Sequence, residues 1–341
     1  MNNGRKHYID NLRGFTTLTL FPYHIFRIYD RWDDKFYIFG KELLIPSIFN
    51  VICGLWMMPL LFAIAGISSR YALEKRSVGE YAKERVHKLL LPLLFGLLLV
   101  VPIQPYLAAM FRNGHANYLD SFTTLTDLSG YDGAFSVGHL WFLLFLFVIS
   151  MVSIFFMVLY KKKGKGTLGD NVPLILIILM GLLPVIGSPI DIGGKSPTED
   201  MAYFLLGYFF LSNDNIQKKL EKYRFLLLGS FVLYALFVIF ITKGEFYEIA
   251  PWLAILALLG IARRHLNFGG KITDYLSKSS FGTYIFHQSW IVVTAFFVFK
   301  FTDNPILQIP LILVSTVFFT YSTYEICRRI SVFRWMFGLK K

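Results

Sequence analysis

The chain is built from repeated apolar runs of about 20 residues, and the short segments between them carry most of its charge. A helix of that length crosses the hydrocarbon core of a bilayer. The composition agrees, because 55% of the residues are hydrophobic and 16% are charged, against about 25% charged residues in a soluble domain. The sequence therefore predicts an all-α fold, a polytopic integral membrane helix bundle.

Ten membrane spans can be drawn along the chain, enough for one bundle with short loops. They are Leu12–Ile28, Leu43–Ser68, Leu89–Ala109, Leu140–Tyr160, Val172–Ser188, Met201–Leu211, Phe225–Thr242, Ile249–Ala262, Phe281–Phe299 and Pro305–Cys327. The third contains Pro92, Pro102 and Pro105, so we expect it to be kinked or broken in its outer half. Residues 1–341 are predicted to form a single transmembrane domain, with no appended soluble domain.

The basic residues determine the predicted orientation of this bundle. When ten spans are drawn, most of the 34 lysine and arginine residues fall in the N-terminal segment, in loops on the same side of the membrane as the N-terminus, or in the C-terminal tail. Positively charged loops remain in the cytosol. Both termini are therefore predicted to be cytosolic. The longest outer loop runs from about Met110 to Gly138, and loops of that length are usually functional. Although the net charge is +12, the basic residues form no single face, so no nucleic-acid partner is expected.

The first span carries two ionisable side chains, Arg13 and His24. Eleven residues turn a helix by about 1100°, so both side chains should point to one face, about 16 Å apart along the axis. Asp10 lies one turn before Arg13 and can orient it. Ionisable groups inside a membrane usually mark functional sites. A structural explanation of the two side chains is also open: Arg13 would contact lipid headgroups, and His24 would hydrogen-bond a neighbouring carbonyl.

Two further histidines lie in or at the edge of predicted spans. His139 opens the fourth span in GHLWFLLFLF, with Trp141 close behind. It is a candidate for handling protons or binding an acceptor in an outer vestibule, although such aromatic clusters are also typical of a membrane interface. Tyr284 and His287, three residues apart in SSFGTYIFHQ, share one face of the ninth span. Three histidines together favour a polar pathway through the bundle.

Arg85 and Lys88 stand where the third span enters the membrane, in the segment ERVHKLLLP. They suit an anion site for a phosphorylated cytosolic ligand. Ordinary determination of membrane topology explains most of the charge in this loop, so both interpretations stay open.

Other chemistry has no motif in the sequence. The two cysteines, Cys53 and Cys327, lie in apolar runs, and no metal-ligand spacing is present, so no metal is expected. Nucleotide-binding glycine motifs and serine hydrolase elbows are absent as well.

Taken in order, these motifs resemble acyltransferase family 3, a family of polytopic membrane proteins. YIDNLRGFTTLTLFPYH is similar to the first-helix motif of that family, in which Asp precedes Leu-Arg-Gly and a His follows the Arg by eleven residues. FAIAGIS, ERVHKLLLP, HLWFL and SFGTYIFH follow in the order of the family, so the resemblance covers essentially the whole chain. The HLWFL form is similar to members that modify glucans and exopolysaccharides.

The resemblance implies acyl transfer across a bilayer. It implies an O-acyltransferase of the bacterial cytoplasmic membrane that takes an acyl group, often acetyl or succinyl, from cytosolic acyl-CoA. The acceptor would be a hydroxyl group of a glycan or similar molecule on the outer side. By resemblance, His24 is the catalytic residue and Arg13 is essential. The phosphates of coenzyme A would suit Arg13, Arg85 and Lys88.

Two mechanisms and one alternative function stay open. His24 can remove a proton from the acceptor hydroxyl as it attacks the thioester, or it can carry the acyl group covalently. His139, Trp141 and the outer loop are expected to hold the acceptor, because aromatic faces suit sugar rings. A secondary transporter or flippase without acyl-transfer activity would also explain a polar pathway.

Overall fold

A computed structural model describes residues 6–124, 129–162, 172–192, 194–241 and 247–340 of the chain. Within these residues the chain forms helices and connecting segments only, as the apolar runs predict. Residues 125–128 of the predicted outer loop, and Thr242 at the predicted end of the seventh span, lie outside the described residues.

The described residues form seventeen α-helices. In chain order they are α1 (His7–Arg27), α2 (Leu44–Gly54), α3 (Met57–Lys75), α4 (Val78–Arg85), α5 (Leu91–Leu99), α6 (Ile103–Asn113), α7 (Asp120–Thr123), α8 (Trp141–Lys162), α9 (Leu174–Leu179), α10 (Leu182–Gly187), α11 (Pro197–Leu206), α12 (Asp214–Lys222), α13 (Arg224–Phe240), α14 (Ala250–His265), α15 (Lys271–Val298), α16 (Pro305–Arg329) and α17 (Ser331–Met336). Val86–Leu90 and Gly207–Leu211 are π-helical, and Gly138–Leu140 and Tyr247–Ile249 are 3₁₀ turns.

Several of these helices are of the transmembrane type. In the described part of the chain, five stretches are long and apolar enough to cross a membrane, namely Leu44–Lys75, Val78–Asn113, Gly138–Tyr160, Lys271–Val298 and Pro305–Arg329. They coincide with the second, third, fourth, ninth and tenth predicted spans. α12 and α13 together give a sixth candidate, although the chain bends by 71° between them. The protein is therefore a multi-pass membrane protein.

The remaining predicted spans fall on helices that are shorter or more polar. The first lies on α1 except for its last residue, Ile28, and the apolar character of α1 is interrupted by Asp10, Arg13 and His24. The fifth corresponds to Leu174–Gly187, which is apolar but short. The sixth falls on α11 and the π-helical segment after it, and the eighth lies on α14 except for its first residue, Ile249. The count of ten spans and the cytosolic placement of both termini stay predictions.

The third span is broken, as its prolines predict. α5 ends at Leu99, and α6 begins at Ile103 after Pro102. At this break, the carbonyl of Val100 accepts a hydrogen bond of 2.7 Å from the hydroxyl of Ser289 on α15. A neighbouring helix thus satisfies a backbone group at a point where the helical ladder is interrupted.

The helices form two compact units, each drawn from three segments of the chain. The first unit contains Met1–Thr16, Ile52–Arg85 and Phe145–Ser277. Here α3 packs against α11, and α14 packs against α12 and α13. Gly66 permits the first contact, because a Cβ atom at this position would overlap the carbonyl oxygen of Phe204. Small residues allow two helix backbones to approach closely in membrane proteins.

The second unit contains Thr17–Val51, Val86–Leu144 and Lys278–Lys341. Its core joins α1, α6, α15 and α16 through buried apolar side chains, which include Ile25, Ile28, Tyr29, Leu107, Ala108, Ile291, Val292 and Ile312. This packing holds the inner faces of the four helices together and positions the polar side chains described below. The single domain expected for residues 1–341 stays a prediction.

Candidate active site

Three histidines meet inside the second unit. His24 comes from α1, His139 from the 3₁₀ turn before α8, and His287 from α15. The ring centroids of His24 and His287 are 5.2 Å apart, and those of His139 and His287 are 5.1 Å apart. His287 is therefore the central member of this histidine cluster.

His139 has both ring nitrogens engaged in the protein. Its Nε2–H donates to the carbonyl of Ile285 at 2.9 Å, and its Nδ1 lies 3.5 Å from the amide nitrogen of Gln104. The hydroxyl of Tyr284 donates to the carbonyl of His139. Because its side chain is 5% exposed, His139 lies inside the unit rather than in an open vestibule. In this arrangement its ring is better suited to holding α15 than to moving a proton.

His287 has one ring nitrogen engaged and one open. Its Nδ1 lies 2.8 Å from the carbonyl of Tyr284 and 3.1 Å from the carbonyl of Thr283. A carbonyl oxygen can only accept, so the proton is on Nδ1 and Nε2 carries a lone pair. Nε2 is buried and has no hydrogen-bond partner among the described residues. A nitrogen in this state can accept a proton or a hydrogen bond.

His24 is half-buried between aromatic rings. Its ring stacks on Phe36 with centroids 6.1 Å apart, and Tyr23 meets it edge-on at 5.0 Å. Phe36 follows α1 and packs against Tyr37 and Tyr131. Phe36 and Tyr131 were not sequence candidates for the site, because an aromatic residue in a connecting segment gives no signal that it will reach a histidine.

A series of side-chain hydrogen bonds passes beside the histidines. The amide of Gln288 donates to Gln104 Oε1 at 2.9 Å, and the amide of Gln104 donates to Ser289 Oγ at 2.7 Å. Ser289 then bonds the carbonyl of Val100 at the break between α5 and α6. Neither glutamine was predicted as a site residue, although an amide within an apolar run is a polar signal of the same kind as a histidine.

Trp141 and Tyr284 border the histidine cluster through Phe142. The ring of Phe142 lies 6.4 Å from that of Trp141 and 5.6 Å from that of Tyr284. The Tyr284 ring lies 5.7 Å from His139 and 6.1 Å from His287. The structure therefore brings Tyr284, His139 and His287 together and connects Trp141 to them through one further ring.

The predicted cationic residues belong to different parts of the chain. In the first unit, Arg13 Nη1 lies 3.4 Å from Asp10 Oδ1, and Arg13 Nη2 donates to Ser68 Oγ at 2.7 Å. Arg85 ends α4 in the same unit and is close enough to Arg13 for the two charges to repel. Each of the two cations also lies near a carboxylate, Arg13 near Asp10 and Arg85 near Glu84, at 3.9 Å for the second pair. Lys88 lies in the π-helical segment Val86–Leu90, in the second unit.

Comparison with known families gives a match over nearly the whole chain. The model of acyltransferase family 3, described as an acyltransferase domain, matches residues 6–325. The matched range includes every candidate residue of the histidine cluster and of the cationic group. Comparison with curated proteins and with solved structures found no match.

Proposed function

Because the chain belongs to acyltransferase family 3 and is a membrane acyltransferase, we propose that it transfers an acetyl or succinyl group from cytosolic acyl-CoA to a hydroxyl group. The acceptor in this proposal is an extracytoplasmic glycan or a related molecule. The enzyme would lie in a bacterial cytoplasmic membrane, with ten spans and both termini in the cytosol. No metal is expected to take part.

The observation that carries the proposal is the close approach of the His24 ring to the His287 ring. The half-buried ring of His24 lies 5.2 Å from a ring whose Nε2 carries a buried lone pair. Histidine is the side chain best suited to general base work near neutral pH. A second support is the neighbouring positive charge of Arg13 and Arg85 in the first unit, which suits a phosphate group.

In the proposed step, His24 acts as the general base. It takes the proton from the acceptor hydroxyl while the hydroxyl oxygen attacks the carbonyl carbon of the thioester. The new C–O bond forms and the C–S bond breaks, so coenzyme A leaves as a thiolate. The imidazolium of His24 returns the proton to that sulfur, and the enzyme regains its starting state. A covalent acyl group on His24 is the rival mechanism, and it gives the same products.

The remaining residues would bind the two substrates. Arg13, Arg85 and Lys88 contribute positive charge for the phosphates of coenzyme A, and Asp10 orients Arg13. Trp141 offers an aromatic face for a sugar ring. His139 would support the acceptor region through the hydrogen bonds that hold its ring.

The test uses purified protein in lipid nanodiscs, labelled acetyl-CoA or succinyl-CoA, and envelope glycans as acceptor. We expect label in the glycan fraction and an equal amount of free coenzyme A. A His24→Ala protein in the same nanodiscs is the control for non-enzymatic transfer. Wild-type protein that releases no coenzyme A from either donor would contradict the proposed function.

A secondary transporter or flippase is the second candidate. The 71° bend between α12 and α13 favours it, because interrupted helices are common in transporters. This candidate predicts exchange of substrate across sealed vesicles while the acyl-CoA stays intact. Counterflow without release of coenzyme A would support transport over acyl transfer.

A further inference from the structure

The ring of His287 is held in a way that calls for an explanation. Two carbonyls of its own helix, those of Thr283 and Tyr284, fix the proton on Nδ1. The side chain is 0% exposed, and within the described residues Nε2 has no hydrogen-bond partner. Buried polar atoms are satisfied in most proteins, so an unsatisfied one requires a specific physical reason.

The spacing between His24 and His287 matches the reach of one hydrogen bond. Ring nitrogens lie about 1.1 Å from an imidazole centroid, so an N–H···N bond of about 2.9 Å places two centroids about 5 Å apart. The observed separation is 5.2 Å, with the ring planes tilted by 44°. This geometry puts Nε2 of His287 within reach of an N–H of His24 after a small rotation of the His24 ring.

The other rings around His287 are less suitable partners. The Nε2–H of His139 donates to the carbonyl of Ile285, and the hydroxyl of Tyr284 donates to the carbonyl of His139. Phe21, whose centroid is 6.1 Å from that of His287, has no polar hydrogen to give. Of these rings, His24 carries a ring N–H and lies at the separation of one hydrogen bond from His287.

We propose that His287 is a positioning residue, which accepts a hydrogen bond from His24 through Nε2 and thereby directs the other nitrogen of His24 toward the acceptor hydroxyl. This inference rests on the proposed function of the chain. When His24 takes the hydroxyl proton, the N–H already aimed at His287 becomes a charge-assisted donor, and such bonds are the stronger ones. When His24 returns the proton to the sulfur of coenzyme A, His287 is unchanged.

The apolar surroundings of His24 increase the effect of a hydrogen-bond acceptor on its imidazolium form. An imidazolium inside an apolar bundle is poorly solvated by water, so its formation depends on fixed acceptors. A neutral histidine with a lone pair provides one without adding a permanent charge to the membrane interior. The carbonyl contacts on Nδ1 keep that lone pair on the correct nitrogen throughout the reaction.

Two substitutions separate positioning from simple packing. His287→Gln keeps an oxygen that can accept a hydrogen bond, whereas His287→Leu keeps a similar volume without an acceptor. With acetyl-CoA and envelope glycans, we expect His287→Leu to lower kcat about 100-fold while KM for acetyl-CoA stays unchanged, and His287→Gln to retain about tenfold more activity than His287→Leu. If His287 serves packing alone, His287→Leu will equal or exceed His287→Gln, and that order overturns the inference.

Thr294→Val is the matched control, because Thr294 is a buried polar residue of the same helix that bonds Thr316. We expect its kcat to stay within about twofold of wild type, as a near-isosteric change outside the cluster should. An equal loss in Thr294→Val and His287→Leu would overturn the inference. If His287→Leu does not insert, His287→Asn replaces it, because its shorter amide cannot reach His24. Absence of coenzyme A release in the wild type would instead contradict the proposed function.

Discussion

The ring centroids of His24 and His287 lie 5.2 Å apart, although one residue comes from α1 and the other from α15. Their approach depends on the packing of these two helices, to which Phe21 contributes by meeting His287 edge-on. The chemistry proposed for the chain therefore depends on a contact between distant parts of the sequence. Four predictions examine the His24–His287 contact and contacts within the first unit.

We expect His24→Ala to abolish acyl transfer, with a fall of about 1000-fold toward background, because the general base is removed. Expression and membrane insertion should persist, since His24 is only half-buried. Release of coenzyme A from labelled acetyl-CoA measures the effect. His265→Ala, which changes an exposed histidine at the end of α14, is the control. A His24→Ala protein with near wild-type transfer would remove His24 from the catalytic role.

Arg13→Ala should also be inactive, with kcat/KM for acyl-CoA lowered by about 100-fold or more, because a charged hydrogen-bond donor to phosphate is lost. Arg13→Lys should recover part of the activity, since it restores the charge without the fork of donors. Initial rates over a range of acetyl-CoA concentrations measure both variants. Arg329→Ala is the control, because that side chain is 75% exposed. Normal rate and normal affinity in Arg13→Ala would place Arg13 outside the site.

Gly66→Val should destabilise the first unit strongly, because a side chain at this position meets the backbone carbonyl of Phe204. Membrane helices that pack through small residues lose their closest contact when a larger residue is introduced. The loss of stability is measured by heating the protein in detergent and recording the fraction that stays folded from its size-exclusion profile. Gly229→Ala is the control, since a Cβ atom there meets no atom within 4 Å, and it should be neutral or stabilising by about 0.5–1 kcal/mol. Equal stability of the two variants would disprove the close approach.

Acid should weaken the contact between Asp214 and Arg263 in the first unit. Asp214 lies on α12, outside the predicted spans, and its hydrogen bond with Arg263 lowers the pKa of the carboxyl from 3.8 to about 2. A lowered pKa means that the stabilisation is complete above about pH 4 and is lost as the pH falls toward 2. Because Asp214 is half-exposed, solvent screening keeps the effect modest.

The measurement for this contact is the thermal midpoint of wild-type protein and Asp214→Asn between pH 7 and pH 2. The difference between them should be largest at neutral pH and should vanish near pH 2. Asp303→Asn, which changes an exposed carboxylate of the second unit, should follow the wild-type curve. A constant difference between wild type and Asp214→Asn across the whole range would refute the assignment.

Features that depend on local sequence were predictable. Each predicted span lies at least partly on a helix, because runs of apolar residues form helices wherever backbone groups must bond within one segment. The break between α5 and α6 follows from Pro102, which cannot continue the backbone ladder. The contact between Asp10 and Arg13 follows from their spacing of three residues.

Features that depend on the packing of distant helices were not predictable. The sequence placed three histidines in or beside spans, but their meeting depends on how α1 and α15 pack. The hydrogen bonds of His139 involve the carbonyl of Ile285 and the amide of Gln104. No sequence pattern predicts either residue as a partner of His139. The bend between α12 and α13 also has no proline to predict it, since Tyr223 lies at the junction.

The hydrogen bond from Ser289 to the Val100 carbonyl connects α15 to the interrupted third span. Without that hydroxyl, a carbonyl in a region poor in water would have to find another donor, and the two halves of the span could slide past α15. Ser289 is two residues beyond His287 on α15, so the same hydrogen bond helps to fix the position of this histidine along the helix axis. A serine with no chemistry of its own would then limit how far the two imidazoles can drift apart during turnover.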